Sequence, residues 1–139
     1  MKFQNDILVY GDMNFRGDCK SESIEQISFV NWVRQTTEYG DLIIHIRNEG
    51  KRSYLQATKH KIEGLCSGAS DIIIPTVMPF VCELKRKDHT KSKWQDGQKE
   101  FLLRAKEQGA FACVALGNDG AKEAFEAWKI KKQSFQLGL

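Results

Sequence analysis

The stretch 68–85 constrains this chain more than any other. It reads as a hairpin of two strands, 71–75 and 79–86, joined by a turn that two prolines bracket. Side chains alternate between the two faces of a β-strand, so the second strand places Glu83 and Lys85 on one face and leaves the other face apolar. A strand otherwise suited to a hydrophobic core thus carries a carboxylate beside an ammonium group.

Asp71 stands at the start of the first strand, and in a hairpin it would approach Glu83. Two carboxylates and a lysine at one strand edge suit a hard divalent cation and an activated water. A simpler interpretation is also open. Asp71 would then be a turn residue, and Glu83 with Lys85 an exposed salt pair that contributes only about 0–1 kcal/mol to stability.

The rest of the chain alternates helices with strands. Ser21 or Ser23 can cap a first helix that runs to about Glu38. Further predicted elements are strands at 7–10, 42–46 and 111–116, helices at 55–65, 92–108 and 121–130, a loop at 11–21, a turn at 117–120 and a loose tail at 131–139. This order predicts one α/β domain over residues 1–139 with a central mixed sheet flanked by helices.

Two predicted helices carry a polar residue on an apolar stripe. Helical spacing back from Val33 through Phe29 reaches Gln26 and Glu22. A carboxylate there is explained either by its place in the first turn, where the helix dipole favours it, or by a metal site. In the helix 92–108, Gln98 interrupts an apolar stripe in the same way, and its surface or buried position stays open.

Charge and cysteine usage narrow the functional class. The net charge is only +3, but the segment 83–106 holds eight Lys or Arg against four Asp or Glu, which favours a polyanionic partner. The four cysteines are scattered without a C-x-x-C pair, which argues against zinc and indicates free thiols in a reducing compartment. No apolar run reaches membrane-spanning length, so a soluble cytoplasmic protein is expected.

Taken in order, these residues resemble the PD-(D/E)XK nuclease superfamily, and within it the VRR-NUC type of phages and bacteria. The resemblance covers about residues 22–116. It rests on an ordered set of positions: Glu22, Gln26, Trp32, Asn48–Arg52, Lys61, Gly64, Gly68–Asp71, Glu83–Lys85, Gln98 and Gly109. The family's usual proline before the aspartate is Ser70 here, which leaves the metal-binding side chains in place. The implied fold is a restriction-endonuclease-like core of αβββαβ order.

The resemblance also implies a site. Asp71 and Glu83 would ligate Mg²⁺ or Mn²⁺ together with the backbone carbonyl of Leu84. Glu22 would complete or support that site, with Glu25 as the less favoured candidate. Two further residues would act beside the metal. Lys85 would orient and help deprotonate the attacking water, or stabilise charge on the phosphate, and Gln98 would position Lys85, water or the DNA backbone.

The implied activity is metal-dependent endonucleolytic hydrolysis of DNA phosphodiester bonds, leaving a 5′-phosphate. Stand-alone domains of this type resemble homodimeric Holliday-junction resolvases, so structured or branched DNA is the expected substrate in a bacterial or phage-infected cell. A twofold dimer would present two sites to two strands. Two alternatives remain open: a catalytically silent nucleic-acid-binding module of the same fold, and a phage or host interaction protein.

Overall fold

A computed structural model describes residues 1–47 and 54–138, so the predicted motif at Asn48–Arg52 lies outside the described residues. The elements in chain order are β1 (Leu8–Tyr10), α1 (Glu22–Thr36), β2 (Ile44–His45), α2 (Tyr54–Ile62), β3 (Ile72–Ile74), β4 (Phe80–Lys85), a 3₁₀ helix (His89–Lys91), α3 (Gln98–Glu107), β5 (Phe111–Leu116) and α4 (Gly117–Gln136). The described strands form one mixed sheet in the order β1-β5-β4-β3-β2. The predicted α/β fold with a central mixed sheet is confirmed.

The predicted hairpin is formed by β3 and β4. These strands pair antiparallel, with Ile72 opposite Cys82 and Ile74 opposite Phe80. The same register, continued by one residue, brings Asp71 level with Glu83. On its other side β4 pairs parallel with β5, which in turn pairs parallel with β1. Strand β4 is therefore interior to the sheet, with hydrogen-bonded neighbours on both edges.

Helices cover both faces of β4. One face packs on α1 and α4 through a cluster that includes Phe29, Phe80, Phe125 and Trp128. The other face packs on α3 through a second cluster that contains Val81 and Leu102. All six residues of β4 are buried. Because Glu83 and Lys85 follow Val81 on the α3 side, their side chains point into the protein.

The first helix turns a different residue inward from the one its sequence predicts. Ser21 is the N-cap, and its Oγ accepts a hydrogen bond of 3.2 Å from the Ile24 backbone N–H. The buried residues of α1 are Glu25, Phe29 and Val33. The predicted stripe through Gln26 and Glu22 is therefore wrong in its N-terminal half. Steps of four residues back from Val33 pass through Phe29 and reach Glu25 instead.

The bounds of α3 and α4 also differ from the predicted ones. Helix α3 begins at Gln98 rather than near residue 92, because Gly97 adopts the left-handed conformation with φ of 85°. Helix α4 extends over both the predicted turn 117–120 and most of the predicted tail. A Cβ atom at Gly120 would lie 2.6 Å from the Tyr10 carbonyl oxygen, so this glycine permits close packing of α4 on β1 rather than a turn. In the described ranges, no helix is long and apolar enough to cross a membrane.

The N-terminal loop is held by the segment that follows β4. Asp88 accepts hydrogen bonds from the Gly17 backbone N–H at 3.0 Å and from the Thr90 hydroxyl at 2.6 Å. The Arg86 guanidinium donates to the backbone carbonyls of Cys19 and, at 3.2 Å, Lys20. These bonds fix the chain just before α1 begins and so determine where its first turn lies.

Asp88 gives a testable pH dependence. The Thr90 hydroxyl, followed by the Gly17 N–H, lowers the pKa of Asp88 from 3.8 to about 2. A lowered folded-state pKa stabilises the protein above the unfolded value, and this contribution is lost as the pH falls from about 4 to about 2. We expect the difference in urea-unfolding free energy between wild type and Asp88→Asn to shrink over that range. The same difference for the exposed control Asp41→Asn should not follow this course, and a constant gap for Asp88→Asn would contradict the assignment.

Candidate active site

A cleft of about 1030 Å³ opens where β3 begins and β4 ends. Five residues singled out in the sequence line it together: Glu22, Asp71, Glu83, Lys85 and Gln98. They come from α1, the loop before β3, β4 and the start of α3. The fold thus brings into one cleft side chains that are widely separated along the chain.

Glu83 and Lys85 form the floor of the cleft. Their side chains are only 2% and 3% exposed, and Lys85 Nζ lies 3.6 Å from Glu83 Oε1. The interpretation of this pair as an exposed surface salt bridge is therefore wrong. Removing two charged groups from water costs several kcal/mol per ion unless hydrogen bonds and pairing offset it. The surrounding hydrogen bonds must supply that compensation.

Gln98 connects the two buried charges. Its Nε2 donates to Glu83 Oε1 at 2.8 Å, and its Oε1 accepts from Lys85 Nζ at 2.9 Å. The Gln95 backbone N–H donates to the same Oε1 at 2.8 Å, which fixes the orientation of the amide. Lys85 Nζ also donates to the Lys93 carbonyl at 2.8 Å. Gln98 is therefore half-buried and held in a hydrogen-bond network rather than free on the helix surface.

Asp71 is held from both sides. Its Oδ2 accepts a hydrogen bond of 2.9 Å from the Leu84 backbone N–H, and its own carbonyl accepts from the Ile46 N–H at 2.8 Å. The His45 ring also contacts that carbonyl through Nδ1 at 3.0 Å. Burial raises the pKa of Asp71, and the Leu84 N–H only partly counteracts this effect. The carboxyl group is thus oriented at the end of β4 but has lost part of its hydration.

The carboxyl group of Glu83 is the most strongly perturbed group that borders the cleft among the described residues. Burial, followed by the nearby charge of Asp71, raises its pKa from 4.5 to about 9 against the opposing charge of Lys85. Glu83 Oε2 is buried and accepts no hydrogen bond within the described residues. An unpaired buried carboxylate oxygen is costly, and a proton or a cation at this oxygen would remove that cost.

These donors fit a hard divalent cation better than a softer metal. Asp71 and Glu83 supply carboxylate oxygens, and the Leu84 carbonyl lies on the same strand edge as the N–H that Asp71 accepts. No group of three or more Asp, Glu, His or Cys side chains within residues 1–47 and 54–138 forms a full ligand set. Mg²⁺ is bound in proteins through one or two carboxylates and retains several waters, so two carboxylates and a carbonyl are sufficient. The residues therefore fit Mg²⁺ or Mn²⁺.

The structure separates the two candidate carboxylates of α1. Glu22 lines the cleft and accepts a hydrogen bond of 2.8 Å from the Ser92 hydroxyl. Glu25 is buried elsewhere, where its Oε2 accepts a short hydrogen bond from the Asn118 backbone N–H at the start of α4. A carboxylate in that position satisfies a free N–H at a helix N-terminus. Glu22, not Glu25, is the α1 residue that the fold brings to the cleft.

Sequence reasoning missed the contribution of the segment 92–97. It was predicted as the first turns of a helix, whereas it is an irregular connection that lines the cleft. From this segment Ser92 contacts Glu22, the Lys93 carbonyl contacts Lys85, and the Gln95 N–H contacts Gln98. Two of these three groups belong to the backbone, so residue type carries no signal for them. The glycine at position 97 is the one local sign of a late helix start.

A contact between two glycines positions this segment. Gly68 has φ of +83°, and a Cβ atom there would lie 2.4 Å from the Gly97 carbonyl carbon. Gly97 has φ of +85°, and its own Cβ would lie 3.0 Å from the Ser67 carbonyl oxygen. The loop that leads to Asp71 therefore touches the residue just before Gln98, backbone against backbone. This contact sets the distance between the two sides of the cleft.

Comparisons with known proteins agree with the resemblance seen in the sequence. A solved structure described as a VRR_NUC domain protein superimposes with a TM-score of 0.67 at 23% sequence identity, covering 82% of this chain and 90% of that one. The chain has the fold of a VRR_NUC domain. No family model and no curated protein sequence matches it. The VRR_NUC fold agrees with the mixed sheet and flanking helices described above.

The Gly68 contact predicts a position-specific loss of stability. Gly68→Ala combines an unfavourable positive φ with a backbone clash, whereas the control Gly64→Ala has a positive φ of +107° and open space around it. Each substitution should cost about 1–2 kcal/mol for the left-handed backbone, and Gly68→Ala about 1–3 kcal/mol more for overpacking. Chemical denaturation measures both. Equal losses in the two variants would show that the Gly68–Gly97 contact has no energetic role.

The raised pKa of Glu83 predicts a second pH dependence. A folded-state pKa above the unfolded value contributes stability that is complete below the unfolded pKa and is lost as the pH rises towards the folded one. In EDTA, we expect the unfolding free energy of wild type to fall relative to that of Glu83→Gln between about pH 5 and about pH 9. The amide of the variant does not titrate, and Glu100→Gln on the exposed side of α3 serves as the control. Parallel pH curves for wild type and Glu83→Gln would refute the assignment.

Proposed function

We propose that this chain is a metal-dependent nuclease that hydrolyses phosphodiester bonds in DNA. The observation that carries the proposal is the cluster of half-buried Asp71 and Gln98 with buried Glu83 and Lys85 in the cleft, where one carboxylate oxygen of Glu83 has no hydrogen-bond partner among the described residues. The VRR_NUC fold also supports the proposal of a nuclease. A structural role alone would not explain why the sheet interior holds a buried carboxyl group with one oxygen unpaired among the described residues.

In this proposal Asp71, Glu83 and the Leu84 carbonyl hold Mg²⁺ or Mn²⁺, and Glu22 supports it from α1. The metal would lower the pKa of a bound water and offset the charge of the phosphate. Lys85 directs a positive charge towards the carboxylates and stabilises the negative charge that grows on the phosphate. Gln98 fixes the Lys85 ammonium relative to Glu83, so that neither group must reorganise during the reaction.

The rim of the cleft supports a nucleic-acid substrate. Four cationic residues line it: Lys61, Arg86, Lys91 and Lys93. The Arg86 guanidinium and the Lys91 ammonium donate to backbone carbonyls of the N-terminal loop. Lys61 and Lys93 are exposed, and within the described residues their side chains have no hydrogen-bond partner. Lys61 and Lys93 are thus the side chains best placed to contact phosphates and release counterions.

Helix α2 gives further support. Its described side chains, at 55–62, are all exposed, including Leu55 at 78% and Ile62 at 81%. It contains no acidic residue, and its last turn holds Lys59, His60 and Lys61. A nine-residue helix whose described side chains are this exposed is marginal in water, because most helix stability in proteins comes from tertiary contacts. Contact with a polyanion along the cleft would stabilise it.

We further propose that the substrate is structured or branched DNA and that a twofold dimer acts on it. Each cleft would engage one strand, so two symmetry-related copies would place two sites on two strands. Geometry of the junction, rather than base sequence, would then select the substrate. A role in the cytoplasm of a bacterial or phage-infected cell is consistent with this proposal.

The proposed activity is tested by incubating purified protein with labelled four-way junctions, flaps and linear duplex, with Mg²⁺, Mn²⁺ or EDTA. We expect metal-dependent cleavage, fastest on the branched substrates, and a loss of at least about 100-fold in Asp71→Asn and Lys85→Met. Asp41→Asn and Lys129→Met are matched controls on exposed positions and should cut like wild type. Circular dichroism verifies that every variant is folded.

Three results would count against parts of the proposal. Cleavage that persists in both cleft variants would refute the assigned site. Salt-sensitive binding without cleavage under any metal would favour a silent nucleic-acid-binding module. Failure to bind nucleic acid at low salt would point to an interaction protein instead.

A further inference from the structure

We infer that Ser92 is a positioning residue that holds the Glu22 carboxylate at the edge of the cleft. Its Oγ lies 2.8 Å from Glu22 Oε1 and 3.0 Å from the Arg86 backbone nitrogen. One hydroxyl therefore joins the end of β4 to the first turn of α1. The inference rests on the proposed nuclease function, because it gives Glu22 a role in the metal site.

Which atoms carry hydrogens determines which partner donates in each of the two hydrogen bonds of Ser92 Oγ. The Arg86 N–H can only donate, so Ser92 Oγ accepts from it. The hydroxyl has a single hydrogen, and the partner placed to receive it is Glu22 Oε1. Glu22 Oε2 accepts no hydrogen bond from the described part of the chain. Ser92 thus orients the carboxyl group through one oxygen and leaves the other available to a cation.

The hydroxyl is itself held in place. The Ser92 backbone N–H donates to the His89 carbonyl at 3.1 Å, which closes the 3₁₀ helix. Asp88 caps the start of that helix through Thr90. Because this chain of bonds begins where β4 ends, Ser92 keeps a fixed position relative to Glu83 and Lys85. Glu22 lies at the very start of α1 and is half-buried, so without Ser92 its side chain would sample several rotamers.

The arrangement predicts a specific effect on metal affinity. Residues that orient a metal ligand typically change affinity by about 10-fold or more when they are removed. We expect Ser92→Ala to weaken Mn²⁺ binding by about 10-fold, and Ser92→Thr, which keeps the hydroxyl, to remain close to wild type. Titration of the protein with Mn²⁺, followed by electron paramagnetic resonance of the free ion, measures this without any substrate. Ser134→Ala on α4 is the matched control and should bind like wild type.

A double-mutant cycle separates positioning from a general structural effect. If Ser92 acts through Glu22, then Ser92→Ala should have no further effect on Mn²⁺ affinity in a Glu22→Ala background. Unchanged affinity in Ser92→Ala, or an equal loss with and without Glu22, would overturn the inference while leaving the nuclease proposal intact. Absence of Mn²⁺ binding by the wild-type protein would overturn both.

Discussion

The burial of Glu83 and Lys85 inside a sheet is the constraint on which the rest of the site depends. Strand β4 is covered on both faces, so each charge needs partners that do not come from water. Lys85 obtains them from the Lys93 carbonyl and from Gln98. The irregular segment 92–97 and the late start of α3 are placed where they satisfy this lysine. The cleft is therefore a consequence of burying Glu83 and Lys85 side by side, and the polar groups of its walls offset the cost of that burial.

Much of this arrangement could be predicted from local patterns. Two-residue alternation predicted that Glu83 and Lys85 share a face, and two prolines predicted the hairpin that brings Asp71 level with Glu83. Both depend on backbone geometry within a few residues. Whether that shared face is buried depends on α3, which packs there because β5 pairs parallel with β4. The two-residue alternation of the strand sequence does not report such a long-range contact. For that reason the sequence also allowed Glu83 and Lys85 to be an exposed salt pair.

The parts that could not be predicted depend on the packing of helix ends. A heptad-like count placed Gln26 and Glu22 on the stripe with Val33, whereas the four-residue step that the structure uses reaches Glu25. Glu25 is buried because the N-terminus of α4 offers it an N–H group, and nothing near Glu25 in the sequence indicates that partner. Glu22 is the first residue of α1 and is only half-buried, so its side chain stays at the cleft instead of entering the core. The resemblance to a nuclease family named both residues, and only tertiary structure could separate them.

The charge balance of the cleft floor is the strongest physical reason to expect a cation there. Burial and then the charge of Asp71 raise the pKa of Glu83, Glu22 adds a weaker effect of the same sign, and Lys85 opposes them. A protein that only needed a stable core would gain by replacing such a cluster with apolar residues. Protonation of Glu83 relieves the repulsion in the absence of metal. A divalent cation would relieve it in the same place, so metal and proton would compete for Glu83, and binding of one would release the other.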